Sequence, residues 1–352
     1  ATVAGATLER RKSRGEVGRR ERFGTVSQLV GVTLEVVQPL FAALVLPAWA
    51  AYLSLTGQWA LYRTYWPAPL TMVLGSFIAG ASSEGGGAVA FPVFTLLLNI
   101  PPAVARNFSF AIQSIGMTAA SLLIIGLRIP VEWNAVRYTS LGGMAGLVLG
   151  TYGVAPLVPP GMTKIFFVSL WLSFGFALWL ANRQRGRKVY DQIHGFSAPD
   201  GLRLLGFGFF GGIITSLFGN GIDIFTFCLL TLYFRISEKI ATPTSVIIMT
   251  VNTLLGFAGH VLLWRDFDAE AFRYWLVSIP VALLFAPLGA YLISFLNRYT
   301  IAALLYTIIV GQYVGALLVL RPSPTQLLFS LLVIAAGVFF FTRLGRQSKT
   351  EK

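Results

Sequence analysis

The chain has 352 residues, 55% of them hydrophobic and 12% charged, with a formal net charge of +13 and a mean hydropathy of +0.72. Soluble domains carry about 25% charged residues, so the composition excludes a soluble globular enzyme and predicts an all-α polytopic membrane protein. The single cysteine, Cys228, excludes an internal disulfide, and the two histidines, His194 and His260, lie in no metal-binding motif, so no metal or other cofactor is expected.

Residues 1–28 form a basic tail in which Arg10, Arg11, Lys12, Arg14, Arg19, Arg20 and Arg22 are interleaved with Glu9, Glu16 and Glu21. Elsewhere the basic residues lie between apolar runs and near the C-terminus. That is the pattern of a chain oriented by its charges in lipid, and not of a nucleic-acid-binding surface. The first apolar run follows the tail and lacks a small-residue cleavage site, so no cleaved signal peptide is expected.

A first span is predicted within residues 29–66, with its apolar run at 34–55. Further apolar segments follow at 67–98, 102–126, 138–157, 162–182, 202–234, 238–263, 271–296, 300–320 and 325–342. Segments 67–98 and 202–234 are too long for one crossing: about 32 helical residues would run about 48 Å through a hydrocarbon core of about 30 Å. Each is also interrupted, the first by Ser82-Ser83-Glu84-Gly85-Gly86-Gly87, the second by Phe218-Gly219-Asn220-Gly221.

Charge decides how these two segments count. With the N-terminal tail inside, Arg183, Arg185, Arg187 and Lys188 fall inside only if 67–98 is a broken-helix hairpin that returns to its starting side. The same treatment of 202–234 brings Arg235, Lys239, Arg298, Arg343, Arg346 and Lys349 inside as well. The prediction is eight full spans and two hairpins, with both termini cytoplasmic in a cell inner membrane. Each hairpin precedes three spans, the first entered from outside and the second from inside. The halves are therefore expected to be inverted repeats, at 67–182 and 201–320, joined by the basic loop 183–200, with a last span and tail at 321–352.

Non-helical backbone at membrane depth is tolerated only when it is buried in protein or lines a wet cavity. Both breaks are therefore expected at one central site. Glycine N–H groups at Gly85, Gly86, Gly87, Gly219 and Gly221, beside Asn220, suit an anion, as do the positive ends of half-helices starting near Ala88 and Ile222. Glu84 and Asp223 read either as caps of those half-helices or as carriers of a coupling proton. Arg106, Ser109 and Gln113 share one face of the following helix, and Thr242, Ser245 and Asn252 the aligned face of its counterpart. Arg106 reads as an anion clamp or as a snorkelling interfacial cation. The serines read as substrate donors or as helix–helix hydrogen bonds.

The segment GSFIAGASSEGGGAVAFPVFTLLL followed by AVARNFS, with the second copy GGIITSLFGNGIDIF followed by KIATPTS, resembles the TauE/SafE sulfite exporter family from about residue 67 to 320. The matching positions are Gly85, Gly86, Gly87, Pro92, Ala105, Gly219, Gly221, Ala241, Thr242 and Ser245, while Arg106, Asn107, Asn220 and Asp223 depart from the pattern. The resemblance implies secondary transport of a small sulfur-containing anion, sulfite or an organosulfonate, usually outward.

Other function classes have less support. An intramembrane enzyme would need a nucleophile–base pair or metal ligands, and from the sequence Cys228 stands alone and His260 has no evident partner. A channel would show a continuous polar stripe, whereas polarity clusters at the two breaks. An anion channel, or a transporter of a different small organic anion, remains the alternative. The expected partners are the anionic substrate, with Arg106, Asn107, Ser109, Thr242 and Ser245 as contacts beside the breaks, and membrane lipid.

Overall fold

The computed structural model describes residues 36–83, 85–183 and 188–347. The basic tail 1–28, Glu84 and the centre of the basic loop lie outside the described residues. The helices, in chain order, are α1 (Val36–Thr56), α2 (Leu61–Tyr65), α3 (Pro67–Ala81), α4 (Gly87–Pro92), α5 (Pro102–Gly126), α6 (Trp133–Leu149), α7 (Pro160–Arg183), α8 (Ala198–Phe218), α9 (Ile222–Cys228), α10 (Glu238–Ala258), α11 (Ala269–Ser294), α12 (Arg298–Leu320) and α13 (Pro324–Arg346). The described residues contain no strand, only one isolated bridge between Tyr190 and Ile236.

Nine of the described helices are long and apolar enough to cross a membrane. Eight correspond to the predicted full spans. The ninth is α8, the first limb of the second interrupted segment. It starts at Ala198, inside the stretch 183–200 expected as loop, because Ser197 and Asp200 form a reciprocal cap. Ser197 N donates to Asp200 Oδ2 at 3.0 Å, and Ser197 Oγ donates to the same oxygen at 2.7 Å. Such a cap satisfies N–H groups that the first turn cannot pair for itself.

The two interrupted segments are built alike. Each second limb loosens into a π turn, Val93–Leu97 after α4 and Leu229–Tyr233 after α9. In both, a threonine hydroxyl donates to the carbonyl four residues back: Thr95 to Phe91 and Thr231 to Phe227, each at 2.7 Å. Asn99 and Arg235 then turn the chain with φ of 55° each. Ile100 N and Ile236 N close the turns on Phe94 O and Leu230 O at 2.9 and 2.8 Å. The paired residues keep one constant offset along the chain, and Ser109 and Ser245 fall on the same offset.

Packing follows the same correspondence. The limb α3 lies against α11, and α8 against α6. Gly80 touches the Ala286 carbonyl, and Gly142 touches the Leu205 carbonyl, so closely that a Cβ at either would overlap backbone. Close backbone approach through small residues is how helices associate in lipid, where apolar burial drives little. Helices α5 and α10 meet at the centre, where Thr250 Oγ1 donates to Met117 O at 2.8 Å and lies 2.7 Å from Ser121 Oγ. The most apolar stretch of α5 is 72% buried, against 11% for α13 and 6% for α1, so the end helices form the lipid-facing rim.

Contacts also group the loops at two ends. At one end Tyr190 N donates to Arg235 O at 2.8 Å and Ile193 N donates to Glu132 Oε2 at 2.8 Å. The turn after α5, the segment before α8 and the start of α10 therefore share that end, which carries Arg128, Lys188 and Arg235. At the other, Lys164 Nζ donates to Thr95 O at 2.7 Å, and Asn107 Nδ2 donates to Asp266 O at 2.7 Å.

Candidate functional site

The backbone breaks are local consequences of glycine. Helix α3 stops where Ser82 turns extended, with φ of −142° and ψ of 170°, and Gly85 then takes φ of +68°. Helix α8 ends on Gly219 at φ +78°, and Gly221 follows at φ +145°. These values lie where a side chain strains the backbone, and glycine reaches them without cost from a Cβ.

The two breaks meet. A Cβ placed on Gly85 would stand 2.7 Å from Asp223 Oδ2, 2.7 Å from Gln113 Oε1 and 3.5 Å from Asn220 Cβ. A Cβ on Gly219 would stand 2.6 Å from Ser109 Cβ and 2.8 Å from Arg106 O. Gln113 of α5 joins them: its Oε1 accepts from Gly86 N at 3.1 Å. Its Nε2 donates to Gly219 O at 2.9 Å and to Ser109 Oγ at 2.8 Å. One carboxamide thus satisfies a donor of the first break and an acceptor of the second. This bridging role was not legible in the sequence, which placed Gln113 on the face of Arg106 and Ser109 and went no further.

Asp223 caps the second half-helix. Its Oδ1 accepts from Gly221 N and from Ile224 N, both at 3.0 Å. Its Oδ2 has no partner among the described residues although Asp223 is buried. Ile222 N is held by Thr215 Oγ1 at 2.9 Å. The N–H groups of Gly86 and Gly221, expected to face an anion, are thus taken by a carboxamide and a carboxylate of the chain itself. Buried N–H groups demand partners, and these two already have them within the protein. Gly87 is the first residue of α4, and Asn220 is fully buried.

The remaining expected contacts divide. Ser109 lies between Gln113 and Gly219. Ser245 donates back to Thr242 O at 2.8 Å within its own helix, while the buried Thr242 hydroxyl has no partner among the described residues. The Asn252 side chain is also buried with neither polar atom paired among the described residues, and it lies against Gly143 beside Ile222. Arg106 and Asn107 sit apart from the bridge, in a charged cluster. Arg106 Nη2 pairs with Asp266 Oδ2 at 3.1 Å. Arg106 Nε and Nη2 both donate to Asn107 Oδ1. Asp266 Oδ1 lies 2.6 Å from His260 Nδ1. This corrects the expectation that His260 has no partner. Its partner lies six residues on, brought back by the turn that ends α10, and spacing alone carries no signal of that turn.

A multi-pass helical membrane protein whose two broken helices converge on one buried polar bridge is a membrane transport protein of the discontinuous-helix class. The family described as "Sulfite exporter TauE/SafE" matches residues 68–310, more than half of the chain. The chain belongs to that family, whose members form a class of sulfur-anion transporters. The matched stretch runs from the start of α3 into α12 and leaves out α1 and α13. No curated protein and no solved structure gave a match.

Proposed function

We propose that this chain is a secondary transporter that moves a small sulfur oxyanion, sulfite or an organosulfonate, out of the cell across the inner membrane, with both termini cytoplasmic. Family membership supports the sulfur-anion class. The single observation that carries the location of the site is the Gln113 bridge between the Gly86 and Gly219 backbones. It brings residues of both halves to one locus, which a path open alternately to either side requires. The two halves act as inverted repeats about this point. The anion enters by exchange, taking the Gly86 and Gly221 N–H groups from Gln113 and Asp223, with Gly85, Gly87, Asn220 and Ser109 around it. Thr242 Oγ1 supplies a further donor, since no described group of the protein uses it.

Exchange against Asp223 suggests how a proton enters the cycle. A carboxylate expelled from two N–H partners into a buried site is costly unless it is neutralised. Uptake of a proton by Asp223 as the anion binds, and its release as the anion leaves, would couple the two fluxes. Glu84, the acidic residue of the first break's sequence, is the second candidate carrier.

The test is flux of sulfite, sulfonates, sulfate and carboxylates in proteoliposomes holding the purified full chain. Saturable flux of a sulfur anion, pH-sensitive and lost in Gln113→Leu, is expected. Conductance steps would mean a channel, and selective carboxylate flux would overturn the substrate class.

A further inference from the structure

The Arg106 cluster lies outside the bridge, yet it is joined to it. Arg106 O packs at the Gly219 break, and Ser109 follows one turn on along α5. The Arg106 side chain is only 12% exposed, while its counter-ion Asp266, on the loop between α10 and α11, is 44% exposed. Asp266 holds Arg106 by a single contact, Oδ2 to Nη2 at 3.1 Å, because its other oxygen is committed to His260 Nδ1. A guanidinium binds a carboxylate or sulfonate best through two parallel bonds. Here that fork is incomplete, and Nε turns instead to Asn107 Oδ1.

We infer that Asp266 is an exchangeable counter-ion: it occupies Arg106 in the place of the transported anion and closes this end of the path until the anion displaces it. The inference rests on the transport reading above and adds a specificity-determining residue to it. A sulfur oxyanion with three oxygens completes the fork that Asp266 leaves open. Displaced Asp266 does not lose its footing, because His260 still holds it. That ring is buried between Phe110 and Trp264, with centroid distances of 5.1 and 4.7 Å. The exchange therefore moves one ion pair and leaves the packing around it in place.

The other end of the protein carries a pair of the opposite build: Arg203 Nη1 meets Asp200 Oδ1 at 3.2 Å, but there the arginine is the exposed partner and the carboxylate is buried as the cap of α8. By the constant offset, Thr242 stands where Arg106 stands. The nearby carboxylate, Glu132, accepts from the backbone N–H groups of Asn134 and Ile193 at 3.2 and 2.8 Å. The exchangeable, exposed counter-ion is therefore the feature of the Arg106 end, opposite the end that gathers Arg128, Lys188 and Arg235.

The experiment has two readouts. In proteoliposomes, Asp266→Asn should lower KM for sulfite about tenfold, the shift expected when the open state rises from roughly a tenth of the molecules to nearly all. Its kcat should stay within about twofold, and Arg106→Lys, which keeps the charge and loses the fork, should raise KM. Separately, in a Cys228→Ala background without sulfite, Ser109→Cys should react faster with a small sulfonate-bearing thiol reagent when Asp266→Asn is added. Asp266→Ser repeats both measurements if Asp266→Asn fails to fold. An unchanged KM with reduced kcat marks a merely structural ion pair and overturns the inference, as does an unchanged labelling rate. If the unmodified protein moves no sulfur anion, the transport reading fails. The labelling rate then decides the latch alone, a faster rate keeping it and an unchanged rate removing it.

Discussion

The carboxamide nitrogen of Gln113 lies 2.9 Å from the carbonyl oxygen of Gly219. A side chain from the helix after the first break thereby pairs backbone left open by the second. Leaving a buried partner of this kind unpaired costs about 1–3 kcal/mol for each group exposed to the loss. Gln113→Ala strands Gly86 N, Gly219 O and Ser109 Oγ together. It should abolish sulfite flux and lower the thermal midpoint of the purified protein. Gln113→Glu keeps the acceptor for Gly86 but loses the donor to Gly219, and should abolish flux with a smaller loss of stability.

The two glycines of the first break should respond differently. Gly85 combines φ of +68° with an Asp223 oxygen and a Gln113 oxygen where a Cβ would go. Gly86 has φ of −68°, and its Cβ would meet only ordinary contacts, at 3.5 Å from Ala79 Cβ and Gln113 Cγ. Gly85→Ala should therefore eliminate flux and destabilise by about 1–3 kcal/mol through backbone strain and overlap. Gly86→Ala should retain most of both. Equal tolerance of the two, measured by flux and thermal unfolding, would contradict the geometry.

Asp223→Asn isolates charge from shape. The amide oxygen still accepts from Gly221 and Ile224, so the cap and the fold should persist. Removing the ionisable group should flatten the dependence of sulfite flux on pH, read in matched liposomes between about pH 5 and about pH 8, the range around physiological values. A pH profile identical to that of the unmodified protein would assign Asp223 to capping only.

The assignment of sides is testable with two cysteines in a Cys228→Ala background. Asp191 is exposed at the end that holds Lys188 and Arg235, and Ala269 is exposed at the end that holds Asp266. With the basic end cytoplasmic, an impermeant thiol reagent should label Ala269→Cys in intact cells and Asp191→Cys only after permeabilisation. The reverse pattern would invert the topology and with it the direction proposed for transport.

Much of the architecture was legible from the chain alone, for a physical reason. In lipid every backbone group must pair within its own segment or be sheltered, so segment length, apolar content and glycine breaks carry the element list almost directly. That is why the two overlong segments and their break positions, and α5 to α7 and α10 to α13, lie where the sequence places them. The start of α8 was missed because the charges of 183–200 masked a capping pair whose signal is only two side chains, Ser197 and Asp200. The site was half legible. Glycine and polar residues marked where the backbone departs from helix, but which oxygen meets which N–H depends on the approach of helices distant in sequence. Gln113 on Gly86 and Gly219, Asp223 beside Gly85, and Asp266 between Arg106 and His260 are all such meetings. Periodicity places a residue on a face of its own helix. Only the packing of α5 and α10 between the hairpins decides what that face touches.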